Sequence, residues 1–132
     1  MKLLLTALAA LAAGCASTPE GLKADPSNRK AVTVAVNYQL AFKRITEAHR
    51  ECAPLQLLPV GQVINEAHLY PDMKMGTLTI GASGFGTQIR QHLEITASGN
   101  ASTELVLFAG TRPQAFLNRY EKWAKGQAVC DV

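Results

Sequence analysis

Apolar positions along the chain fall first into one run, Leu3 to Ala13 with Thr6 within it, and then into segments of two different periods. Val32, Val34 and Val36 alternate with Thr33 and Ala35, the period of a half-buried strand. Asn37 then offers a side-chain oxygen to cap a helix. From Tyr38 the spacing changes: Tyr38, Phe42, Ile45, His49 and Cys52 share one helical face, filled out by Ala41 and Ala48. Lys43, Arg44, Glu47, Arg50 and Glu51 lie largely on the other side, and Pro54 stops the helix.

Leu55 to Ile64 is apolar but holds Pro59 and Gly61, which predicts a packed loop or a short strand. Ala67 to Tyr70 reads as extended, with Pro71 bending the chain after it. Thr77 to Ile80 is a short strand, Gly81 to Gly86 a glycine-rich turn, and Thr87 to Ala97 a long strand. Alternation on that strand sends Ile89, Leu93 and Ile95 to one side and Gln88, Arg90, His92 and Glu94 to the other. Ser98-Gly99-Asn100 forms the next turn, and Ser102 to Ala109 a strand with Leu105 and Leu107 inward. A polar outer face leaves Val106 and Phe108, on its other side, unexplained. A second helix starts at Pro113 and runs to Lys125 before Gly126, with an apolar stripe of Phe116, Leu117, Tyr120, Trp123 and Ala124.

The fold class that follows is α+β: an antiparallel sheet of four to five strands with two helices packed on one face, in the order β-α-β-β-β-β-α. One domain over residues 31–132 accommodates it.

The apolar run at the front is about eleven residues long, short of the ~20 that a membrane-spanning helix needs. Met1-Lys2 gives it a positive start, and Ala12-Ala13-Gly14 puts small side chains before Cys15, which predicts an export signal over residues 1–14. The stretch Leu11-Ala12-Ala13-Gly14-Cys15 resembles the lipobox of bacterial lipoproteins, with Ala12 where the lipobox usually has leucine. The resemblance implies that Cys15 receives a diacylglycerol and becomes the first residue of the mature chain. It also implies, through Ala16 and Ser17 in place of an aspartate, the inner leaflet of the outer membrane, facing the periplasm. Ala16 to Lys30 is rich in Ser, Thr, Pro, Gly, Asp and Asn with a single leucine, so residues 15–30 read as the lipidated cysteine and a flexible tether. In outline the domain resembles the small helix-on-sheet domains of envelope lipoproteins, including those of outer-membrane assembly machines.

With Cys15 carrying lipid, Cys52 and Cys130 remain as one pair for a disulfide in an oxidising compartment. Neither lies in a nucleophile motif. The glycine stretch Gly81 to Gly86 runs into a strand, whereas phosphate-cradling loops run into a helix. His49, His68 and His92 have no metal-ligand spacing, and His49 falls on the buried helix face. Glu66, Glu94 and Glu104 read as solvent-facing strand residues rather than a glycosidase pair. No catalytic residue, metal site or cofactor is assigned.

The formal net charge is +3, too mild to suggest nucleic acid. A non-enzymatic binding or envelope-assembly module ranks first. An immunity or inhibitor lipoprotein that captures a periplasmic toxin or hydrolase ranks second, and an envelope hydrolase third. The expected partners are the membrane, through the lipid, and another envelope protein, contacted by Gln88, Arg90, His92 and Glu94 with Phe85 on the turn beside them.

Overall fold

The computed structural model describes residues 16–52 and 61–130. The export signal, Cys15, the stop at Pro54 and the first part of the packed loop from Leu55 lie outside the described residues.

Five antiparallel strands form one sheet: β1 (Arg29–Val34), β2 (Gln62–Tyr70), β3 (Met75–Gly84), β4 (Gly86–Gly99) and β5 (Ser102–Ala109). Their spatial order is β1-β5-β4-β3-β2, so β1 and β2 are the edges. Two helices, α2 (Tyr38–Cys52) and α3 (Pro113–Ala124), cover one face, and a five-residue helix, α1 (Pro19–Lys23), lies on the other. The order from β1 onward is β-α-β-β-β-β-α, the α+β arrangement expected from the periodicities.

Local chemistry starts each long helix. The Asn37 side-chain oxygen accepts from the Gln39 amide at 2.9 Å, as its position before α2 predicts. Pro113, with its φ preset for a helix, opens α3 after Arg112 turns the chain at φ 48°. Ala41, Ile45 and Ala48 of α2 meet Leu117, Tyr120, Trp123 and Ala124 of α3 over Leu78, Leu93, Ile95, Leu105 and Leu107 of the sheet. Cys52 and Cys130 form the disulfide, tying the end of α2 to the tail after α3 across a separation of 78 residues.

Three expectations are corrected. The strands flanking the glycine stretch are longer than expected: Gly84 pairs with Gly86, so the turn shrinks to Phe85 at the tip of a β3–β4 hairpin, and Gly81 is a strand residue. A side chain at Gly81 would strike the Gln88 carbonyl oxygen, which is why glycine stands there.

The second correction concerns β4. Ile80 pairs with Gln91 and Gly81 with Ile89, leaving Arg90 unpaired as a β-bulge. One extra residue reverses the alternation. Leu93 and Ile95 join the helix-side core as expected, with Gln91 on the same face by alternation, but Ile89, before the bulge, turns to the opposite face.

The third is the expected tether. Ala16 to Asn28 lies folded on the sheet, and Arg29 and Lys30 already belong to β1. Thr18 caps α1 by accepting from the Gly21 amide, Pro19 opens it, and the Asp25 carboxylate caps a single 3₁₀ turn at Pro26–Asn28. Leu22 is 4% exposed, packed on Ile89, Val106 and Phe108. A composition count finds too little apolar surface within the segment to order it. It does not register that Val106, Phe108 and the flipped Ile89 supply that surface from the sheet.

Candidate functional site

The residues expected to form one polar row on β4 are divided by the bulge. Gln88 is half-buried before it and Arg90 is exposed within it. His92 and Glu94 follow on the outer face, opposite Phe108 and Val106 of β5. Phe85, beyond the start of the strand, is 98% exposed. The structure therefore brings together His92 with Glu94 and places Phe85, Gln88 and Arg90 toward one end of the sheet, before or at the bulge.

His92 and Glu94 are not a free surface, because α1 lies over them. His92 is buried. Its Nδ1 shares a hydrogen bond with Thr79 Oγ1 at 2.8 Å, and its Nε2 is 3.9 Å from Glu94 Oε2. Lys23, the last residue of α1, donates to Glu94 Oε2 at 3.0 Å and sets its ammonium 5.4 Å from the centre of the Phe108 ring. Burial holds the His92 pKa below the usual histidine value, as does the neighbouring Lys23 charge, against a smaller opposite pull from Glu94 and Glu20. A neutral imidazole here is a hydrogen-bonding member of the α1 seat. Glu94 is paired with Lys23.

The second buried histidine lies on the opposite face. His49 Nδ1 is 3.2 Å from Asn65 Nδ2, which fixes that nitrogen as the acceptor, and the ring meets Trp123 edge-on at 6.3 Å. Its pKa is also lowered, first by burial and then by the Arg119 charge. Arg119 itself lies over the rings of Phe116, Tyr120 and Trp123, with its guanidinium 4.9 Å from the Trp123 ring centre. Tyr120 donates to Gln91 Oε1 at 2.6 Å, satisfying the amide that alternation from Leu93 places on the core face. Burial pushes the Tyr120 phenol far up, so it remains a donor at any physiological pH.

His49, His92, Gln91 and Tyr120 are polar residues hydrogen-bonded within a core, whereas the buried Nε of Arg119 has no hydrogen-bond partner among the described residues and its guanidinium rests on aromatic rings instead. The two buried histidines are divided by the sheet, and among the described residues no three His, Cys, Asp or Glu side chains converge. Glu66 and Glu94 stand on β2 and β4 with β3 between them, and Glu104 stands on β5 opposite Thr96. A groove of about 290 Å³ between α2 and β2, lined by Phe42, Thr46, Arg50, Asn65, Ala67 and Leu78, holds one cation and no acidic side chain.

The sequence reading missed the corner where β2 turns into β3. Leu69, Tyr70 and Met73 are all exposed there, Met73 at 66%. The His68 and Tyr70 rings lie 6.2 Å apart on the outer face. A single 3₁₀ turn at Pro71–Met73, closed by Lys74 at φ 51°, fixes the corner. The signal was present in the sequence as apolar residues crowded around a proline turn.

Antiparallel pairing gives the sheet two dissimilar ends. The Phe85 hairpin, Arg90 and the start of β1 mark one, and the β2–β3 corner marks the other. The length of β3, at ~3.3 Å per residue, separates them by roughly 30 Å. The Ala16 carbonyl accepts from the Ile89 amide at 2.7 Å, so the chain enters the domain toward the Phe85 end. Among the described residues no helix is long and apolar enough to cross a membrane. Comparisons of this chain with known protein families, curated proteins and solved structures return no match.

Proposed function

We propose that this chain is a lipid-anchored module of the bacterial cell envelope, acting without catalysis by holding another envelope protein at the corner of Leu69, Tyr70 and Met73. The observation that carries the reading is the polarity of the molecule. Its N-terminal segment is pinned at one end of the sheet, and its exposed apolar corner stands at the other, ~30 Å away. A side chain such as Met73, flexible and polarizable, suits a contact surface, and adjacent apolar residues beside polar neighbours mark one.

Gly14-Cys15 at the end of an apolar run supports lipidation at Cys15, and the Cys52–Cys130 disulfide fits the oxidising periplasm. With Cys15 acylated in the inner leaflet of the outer membrane, the corner projects into the periplasm. The ordered seat of α1 keeps that projection fixed, where a loose tether would let the corner wander.

The test is photo-crosslinking in living cells, with a photoreactive amino acid placed at Met73 and, as a control, at the exposed Lys122 of α3. A discrete adduct from position 73, absent from position 122 and identified by mass spectrometry as one envelope protein, supports the reading. A toxin or wall hydrolase in that adduct would make the module an inhibitor. No adduct from position 73 alongside one from position 122 would move the contact to the helix side and overturn the assignment.

A further inference from the structure

We infer that Phe85 is a second membrane contact, inserted into the same bilayer that takes the acyl chains of Cys15. The inference rests on the lipidation reading and adds a contact to it.

Three observations point to a bilayer as the occupant. First, the anchor has no slack. Ala16 is hydrogen-bonded to Ile89, one peptide bond separates Ala16 from Cys15, and Ile89 is four residues along β4 from Phe85. Covalent geometry thus keeps the lipid attachment point within roughly 20 Å of Phe85. A domain held this close to the membrane must turn some part of that end toward it.

Second, the shape of the tip suits insertion. Phe85 is 98% exposed between Gly84 and Gly86, at the end of two long paired strands. Gly86 has φ 111°, and a Cβ there would meet nothing within 4 Å, so the turn projects clear of the domain. The backbone behind the ring is paired, so its insertion strands no row of unpaired amides in hydrocarbon.

Third, the charge behind the tip suits an anionic surface. Arg29 starts β1 at this end, Arg90 occupies the bulge, and Arg112 follows β5 after its last residue, all three exposed. They stand back from the tip, Arg90 on the bulge of β4 and Arg29 opposite Phe108 at the level of His92, so they add attraction to an anionic surface from behind the inserted ring.

The experiment uses the full chain carrying Phe85→Trp, exported and purified with its lipid, and reconstituted into phosphatidylethanolamine–phosphatidylglycerol vesicles with or without brominated acyl chains. Wild type supplies the reference, since its single tryptophan, Trp123, is buried in the helix-side core. The introduced indole is expected to lose roughly half of its emission in brominated vesicles, because an interfacial side chain sits ~5–10 Å into the acyl boundary. Wild-type emission should not change. The mass of the same preparation separates the two readings. A sample lacking the acyl adduct on Cys15 would overturn the anchoring reading, and this inference with it. A sample carrying the adduct with its introduced indole unquenched would overturn the Phe85 contact alone; a blue-shifted but unquenched indole would assign the tip to a protein surface, a second copy included.

Discussion

The two faces of the sheet are closed by very different amounts of chain. On one, α2 and α3 contribute 15 and 12 residues and bury a core running from Val34 to Trp123. On the other, the five residues of α1 hold one leucine against Ile89, Val106 and Phe108. The first face has enough apolar area to drive folding; the second adds a patch too small to fold on its own, ordered because the sheet already exists. Each also buries a histidine, supported by Asn65 on the helix side and by Thr79 on the other. The comparison teaches that stability and seating are separable here: the helix face decides whether the domain exists, and the outer face decides how its N-terminal segment is held.

The sharpest way to break this comparison is to empty a site on each face. Trp123→Ala should cost about 3–5 kcal/mol and lower the global unfolding midpoint in denaturant. Leu22→Ala should cost about 2 kcal/mol or less and act locally. Hydrogen exchange at the Ile89 amide should rise many-fold in the Leu22 variant, while amides of α3 keep their protection. Equal loss of protection on both faces would show one cooperative unit and erase the distinction.

The disulfide belongs to the helix face and should follow its pattern. Reduction of Cys52–Cys130 should lower stability by about 2–4 kcal/mol, through the long loop it closes in the unfolded chain. Denaturant titration with and without reductant measures it, and the Lys23–Glu94 contact should be indifferent to the change.

A smaller effect tests the buried hydrogen bond between Tyr120 and Gln91. Tyr120→Phe leaves Gln91 Oε1 buried without its donor, and should cost about 1–3 kcal/mol although only an oxygen is removed. Gln91→Leu in the same background should recover part of the loss, since an apolar side chain at that position no longer needs a partner.

Acid should weaken both faces. His49 and His92 have folded pKa values lowered from 6.5, so the unfolded chain binds protons first as pH falls. Their contribution is fully present above the unfolded value and is lost as pH drops from about 6.5 toward the depressed folded values. Unfolding midpoints measured on descending pH should fall in wild type and fall less in His49→Asn and in His92→Gln. The smallest effect is expected for Lys23→Ala: its ion pair with Glu94 is partly exposed, so about 0.5 kcal/mol or less is expected at moderate salt.

How much was legible in the sequence differs between these same regions. The helical spacing from Tyr38 to Cys52, with Asn37 before it, locates α2, because a 3.6-residue period and a side-chain cap are local properties. Ser102 to Ala109 likewise reads as β5 with Leu105 and Leu107 inward. The candidate site was far less legible. One unpaired residue at Arg90 separates Gln88 from His92 and Glu94, and nothing in the local alternation announces it. Val106 and Phe108 were visible as an unexplained pair; their cover, Leu22, lies in a segment whose composition argues for a tether.

By itself the sequence determined the α+β class, the two long helices and their buried faces, because periodicity, capping and proline placement act over a few residues. It also singled out the cysteine pair that the structure joins. Only the tertiary structure decided which face Ile89 serves, where the hairpin ends, and that Ala16 to Asn28 is seated on the sheet. Those outcomes depend on strand register and on apolar surface lent by residues far along the chain, and register is a property of the assembled sheet rather than of any one strand.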